Sequence, residues 1–187
     1  MKNIVIFASG SGTNAENVIA HFSTSHTTRV VAVFCNNREA QVLDRVRKWE
    51  VPTVVFSKDD FKSDLVLARL ASFTPDLIVL AGFLLKFPSN IIQAYPNKII
   101  NIHPALLPKF GGKGMYGIHV HRAVVEHKEV ETGITIHFVN ENYDEGNVLF
   151  QEKVAVTAAD SPEDVALKVH ELEHRYLPQV IETFLNA

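Results

Sequence analysis

The chain has 187 residues, 47% hydrophobic and 21% charged, enough to bury a substantial core in one soluble domain spanning 1–187. A net charge of -3 at pH 7, with Lys and Arg scattered, argues against a nucleic-acid surface. The single cysteine, Cys35, lies in an apolar run and excludes a disulfide framework, and the first apolar run is too short for a membrane span or a signal segment, so a cytoplasmic protein without membrane or nucleic-acid partners is expected.

In chain order, "NIVIFA" (3–8) reads as a strand, and a glycine loop separates it from the helical pattern "TNAENVIAHF" (13–22). "RVVAVFC" (29–35) and "PTVVF" (52–56) are strands on either side of the helix "AQVLDRVRKWE" (40–50), and the helix "SDLVLARLASF" (63–73) leads to the strands "DLIVLAGF" (76–83) and "KIINI" (98–102). Near-continuous apolar strands alternating with helices predict an α/β fold: a Rossmann-like open, mostly parallel twisted sheet with helices on both faces. After Pro104 the pattern changes to a glycine-rich loop (109–117), a helix near 119–127, the strands "GITIHFV" (133–139) and "VLFQEKVAV" (148–156) around a polar loop, and a final helix (161–185). That helix opens with Ser161 as N-cap and Pro162 at its first position, and Pro178 should kink or split it.

Three groups of residues can carry chemistry. "ASGSGTNAEN" (8–17) sits between a strand and a helix N-terminus, where glycines let backbone N–H groups approach an anion, so a phosphate is the natural guest. Gly10, Gly12 and Ala15 also fit the dinucleotide fingerprint in its alanine form, and Arg38 in "CNNRE" is suited to a 2′-phosphate, which keeps an NADP-binding oxidoreductase open. In "NIHPALLP", Asn101 and His103 share strand parity and emerge where open parallel sheets bind ligands, so a carboxamide and an imidazolium side by side would stabilise an oxyanion. In "NENYDEGN" (140–147), Asp144 precedes Gly146 in a turn, and a carboxylate close to His103 should raise the imidazole pKa toward or above neutrality. His119 and His121 fall two apart in a helical segment and so do not share a face, and no metal site is expected.

"GSGTN" after the first strand, "LAGF" after the fourth, "NIHPALLPKF" after the fifth, and "GITIHFV" leading to "YDEG" resemble the folate-dependent formyltransferases, in particular the branch that acts on phosphoribosylglycinamide in purine synthesis. The resemblance covers essentially the whole chain. It implies a phosphate-binding half (1–100) and a catalytic, folate-binding half (101–187), with 10-formyltetrahydrofolate as co-substrate and no metal. It further implies that Gly12, Thr13 and Asn14 hold the substrate phosphate, with Glu173 and His170 at the ribose. Leu84, Leu85, Lys86 and Phe87, with Asn101, Asn140, Glu141, Asn142, Tyr143 and Asp144, would line the pteridine pocket, and Lys58 would reach the glutamate tail. Asn101, His103 and Asp144 would be catalytic, with Thr135 assisting a water-borne proton relay. A formyltetrahydrofolate hydrolase is the related alternative. Two departures stand out: the "LAGF" extension has Leu85 followed by Lys86 where relatives often carry Arg, and the loop over 111–117 is longer than the familiar form.

Overall fold

The computed structural model describes residues 1–187. A seven-stranded sheet in the order β3-β2-β1-β4-β5-β6-β7 runs through the chain. Its strands are β1 (Lys2–Ala8), β2 (Thr28–Cys35), β3 (Thr53–Val55), β4 (Leu77–Ala81), β5 (Ile99–His103), β6 (Glu131–Phe138) and β7 (Val148–Ala155). β1 to β5 are parallel, whereas β6 runs antiparallel to β5, and β7 to β6. The fold class is therefore the one expected.

Side-chain alternation along the strands creates two cores. Ile4, Ile6 and Ala8 of β1 pack on the layer of α1 (Thr13–Phe22), α2 (Val42–Arg47), α6 (Ile118–Glu126) and α7 (Pro162–Asn186). Val5 and Phe7 face the opposite way, onto α3 (Lys58–Lys62), α4 (Asp64–Ala71) and α5 (Ser89–Ala94). The period of two is what a strand buried on both faces requires. The second core is aromatic: the Phe7 ring lies 4.9 Å from Phe34, 5.1 Å from Phe87 and 5.4 Å from Phe83 between centroids. Offset and edge-to-face pairs of this kind add about 0.5–1.5 kcal/mol each beyond area burial.

Two helices, α3 and α5, have five and six residues and are too short to show an amphipathic period in sequence. Ser57 starts α3 with a capping box closed by Asp60, which accepts the Ser57 N–H at 2.8 Å. Ser161 starts α7 in the same way, with Asp164 as its reciprocal partner.

Pro178 does not split α7, which continues from Pro162 to Asn186. Proline has no N–H to give the carbonyl four residues back, that of His174. The Asn17 side chain on α1 donates to that oxygen at 2.7 Å, so the freed acceptor is satisfied from a neighbouring helix.

Candidate active site

A cleft of about 1,040 Å³ crosses the carboxyl ends of β1, β4 and β5. The strand order reverses between β1 and β4, and open α/β sheets bind ligands at that point. One end of the cleft is the β1–α1 loop. The other is the polar cluster at the end of β5 with the segment after β4.

At the loop, Gly12 takes φ +77° as the N-cap of α1, and a Cβ there would lie 2.4 Å from the Val42 side chain. Both facts require glycine. α2 supports the loop from behind: the Val42 N–H donates to the Gly10 carbonyl at 3.1 Å and Arg45 Nε to the Ser11 carbonyl at 2.8 Å. With these carbonyls held from outside, the unpaired N–H groups of the first turn of α1 are left for an anion. Glu16 would oppose a negative ligand here, but Arg45 pairs with it at 3.0 Å and Lys48 also contacts it. Thr13 and Asn14 follow in the wall; the Asn14 side chain donates to Glu173 Oε2 at 2.9 Å, and His170 Nδ1 lies 3.3 Å from the same oxygen. Gly12, Thr13, Asn14, His170 and Glu173 are thus brought together.

At the other end, strand register does the positioning. Asn101 is paired with His137 across β5 and β6, and His103 with Thr135, so all four side chains share one face. His137 Nδ1 donates to the Phe138 carbonyl at 3.0 Å, which leaves Nε2 to accept from Asn101 Nδ2 at 3.1 Å. Asp144 enters from the β6–β7 loop with φ +56°. Its Oδ2 accepts the Gly112 N–H at 2.9 Å and lies 3.6 Å from His103 Nδ1, while Oδ1 lies 3.5 Å from Asn101 Nδ2 and 3.6 Å from His137 Nε2. Two glycines make room: a Cβ at Gly111 would meet Leu107 at 2.6 Å, and one at Gly146 would meet the Phe138 carbonyl oxygen at 1.6 Å.

Asp144 therefore sits beside His103, but the imidazole pKa moves opposite to expectation. Burial, the largest influence, lowers it, and the Asp144 charge and the Phe110 carbonyl only partly offset that. Burial also pushes the Asp144 carboxyl upward; the neighbouring His137 and His103 imidazoles and the Gly112 N–H outweigh it and hold the group below the usual range. His103 Nε2 donates to the Phe110 carbonyl at 2.8 Å. That oxygen marks a position from which an acceptor meets the ring in line.

Several sequence-based placements differ. Thr135 is fully buried under the "NIHPALLP" segment: its hydroxyl donates to the Ala105 carbonyl at 2.7 Å and accepts from the Leu107 N–H at 3.0 Å and Gln151 Nε2 at 2.9 Å. With those partners it has no capacity left for relaying a proton. Lys58 and Glu141 do not line the cleft; Lys58 is exposed at the start of α3, and Glu141 accepts from Gln93 at 3.4 Å. Leu84, Leu85, Lys86 and Phe87 all line it, although the Phe87 ring belongs mainly to the aromatic core. Asn140, Asn142, Tyr143 and Asp144 form the facing wall, and Gly112 to Ile118 close one side, so the long loop belongs to the cleft. Sequence reasoning weighed His121 only as a metal ligand and did not place His137 in the site. The strand parity of His137 with Thr135 was the available signal.

A doubly wound sheet with a glycine-loop anion cradle and a carboxamide, imidazole and carboxylate in one switch-point cleft defines a Rossmann-like ligand-binding protein. The formyl transferase family model matches residues 2–181, and the chain belongs to that family. It is 38% identical over 96% of its length to phosphoribosylglycinamide formyltransferase, chloroplastic, of Arabidopsis thaliana, and spans 64% of that relative. It is 35% identical over its full length to phosphoribosylglycinamide formyltransferase of Haemophilus influenzae, covering 89% of it. Among solved structures, glycinamide ribonucleotide transformylase 1 from Geobacillus kaustophilus superimposes with a TM-score of 0.90 at 33% identity, over 99% of each chain.

Proposed function

We propose that the chain transfers the formyl group of 10-formyltetrahydrofolate to the amine of phosphoribosylglycinamide. The observation that carries this reading is the continuity of one cleft from the glycine loop and Glu173 to Asn101, His103 and Asp144. A phosphorylated amine held at one end presents its nucleophile at the other. The family match and the shared name of the relatives support the choice of reaction.

In this reading the backbone of Gly12, Thr13 and Asn14 binds the phosphate, Glu173 and His170 meet the ribose hydroxyls, and the wall of Leu84 to Phe87 with Asn140, Asn142 and Tyr143 holds the pteridine. The amine attacks the formyl carbon and the carbonyl oxygen becomes an oxyanion. His103 Nε2–H exchanges its present acceptor, the Phe110 carbonyl, for that oxygen, and Asn101 Nδ2 gives a second hydrogen bond. Negative charge on the oxygen, added to that of Asp144, draws a proton onto His103 at the stage that needs it. Collapse expels the folate nitrogen, which takes its proton from water organised by Asp144, and the proton that the attacking amine sheds as it becomes the amide restores that water. No bond to the protein forms. Holding amine and formyl carbon in contact contributes up to about 7–11 kcal/mol of the barrier reduction.

The test is to incubate purified protein with 10-formyltetrahydrofolate and follow deformylation with and without phosphoribosylglycinamide. Deformylation only in the presence of the amine supports transfer. Equal release in both samples indicates a hydrolase and overturns the proposal.

A further inference from the structure

His121 is the one buried histidine of the cleft region whose ring bonds to no protein group. His103 and His137 each donate to a backbone carbonyl. His121, on the face of α6 that also turns Ile118 to the cleft, is 6% exposed, and its Nδ1 is enclosed without a partner. Buried polar atoms are ordinarily paired, and the exceptions call for a ligand or a cause. An enclosed nitrogen without an acceptor is tolerated better as a lone pair than as an N–H. The proton therefore belongs on Nε2, the nitrogen left to face the cleft. Burial keeps the ring neutral, and the charged groups that act on it are Glu173 and His103. His121 thus lines the same cleft as Glu173 and His103, feels the charge of both, and presents one neutral donor.

Resting on the substrate reading above, the geometry points to His121 as a substrate-contacting residue whose Nε2–H donates to the amide carbonyl oxygen between the ribose and the amine of phosphoribosylglycinamide. That carbonyl is the acceptor in the span between sugar and nucleophile, and fixing it sets the direction in which the amine leaves the ribose. A neutral donor suits it, because an imidazolium there would add charge beside His103. The contact is a matter of affinity and orientation for the amine substrate, and the folate does not share it.

Binding of phosphoribosylglycinamide and of ribose 5-phosphate, measured by calorimetry on wild type, His121→Met, His121→Gln and His121→Asn, tests this directly, with steady-state KM values for both substrates alongside. Loss of one such hydrogen bond should weaken phosphoribosylglycinamide about tenfold in His121→Met and leave the formylfolate KM within about twofold. Glutamine reaches the Nε2 position with its amide and should recover most of the loss; asparagine reaches the Nδ1 position and should not. Ribose 5-phosphate, which lacks the amide carbonyl, should bind wild type and His121→Met alike. Unchanged amine affinity in His121→Met, equal weakening of ribose 5-phosphate, or a glutamine variant as impaired as the methionine one overturns the inference. If wild type binds phosphoribosylglycinamide without transferring formyl, the reaction assigned above fails while the binding series still decides the role of His121; if wild type does not bind it, both fall.

Discussion

Asp144→Asn removes one charge and almost no volume from the centre of the polar cluster. The carboxylate stands 3.6 Å from His103 Nδ1, 12% exposed against 4% for the imidazole. At that separation a unit charge pair is worth about 4–5 kcal/mol at an effective dielectric of about 20, which makes Asp144 the main support for a protonated His103. Burial already holds the imidazole below its usual range with Asp144 opposing it, so losing the carboxylate leaves burial less opposed and moves the pKa further down. Activity carried by the protonated ring is lost as pH rises through that pKa; the alkaline fall in rate should therefore begin at lower pH in the variant than in wild type. At neutral pH the variant stabilises the oxyanion with a weaker donor, and the loss of an oxyanion donor lowers kcat by roughly 10²–10³-fold. The Gly112 N–H still finds an amide oxygen in Asn, so the local fold should persist. Steady-state kcat measured from about pH 5 to about pH 9 makes the comparison across the range where histidine titrates. A kcat reduced by the same factor at every pH, or a profile identical to that of wild type, refutes the coupling between Asp144 and His103.

Two other substitutions separate roles that the cluster combines. Thr135→Val keeps the shape but leaves the Leu107 N–H and Gln151 without their acceptor, so urea unfolding should show a loss of about 1–3 kcal/mol while the shape of the pH–rate profile stays that of wild type; an altered profile with stability intact would restore Thr135 as a proton carrier. Arg45→Met frees the Ser11 carbonyl and leaves Glu16 with Lys48 alone, so KM for the phosphorylated amine should rise by about tenfold with kcat within about twofold, and an unchanged KM would show that α2 does not support the anion cradle.

What could be read in the sequence was mostly what local chemistry decides. Alternating apolar strands set the doubly wound sheet, the Gly-Ser-Gly-Thr-Asn run marked the turn into α1, and the shared parity of Asn101 and His103 put both on one face. The rest depended on contacts distant in sequence. His137 joined the site because β6 pairs with β5 in a register that sets it opposite Asn101, and no local pattern announces that register. Thr135 was read as a proton carrier because its neighbours were invisible; in the fold Ala105, Leu107 and Gln151 take its whole hydrogen-bonding capacity. The sign of the His103 shift was missed for a related reason: the carboxylate could be named from sequence, but the burial that outweighs it comes from the packed sheet. Lys58 rests on the resemblance alone, and its place at the start of α3 lies outside the cleft wall.

The fate of a ¹³C-labelled formyl group supplied on 10-formyltetrahydrofolate, followed by NMR with phosphoribosylglycinamide present and absent, tests most directly whether the two ends of the cleft serve one reaction. The account predicts label in the formamide carbon of the product, one for each folate deformylated, and none moved when the amine is left out. Label recovered as formate at a rate indifferent to the amine would contradict it.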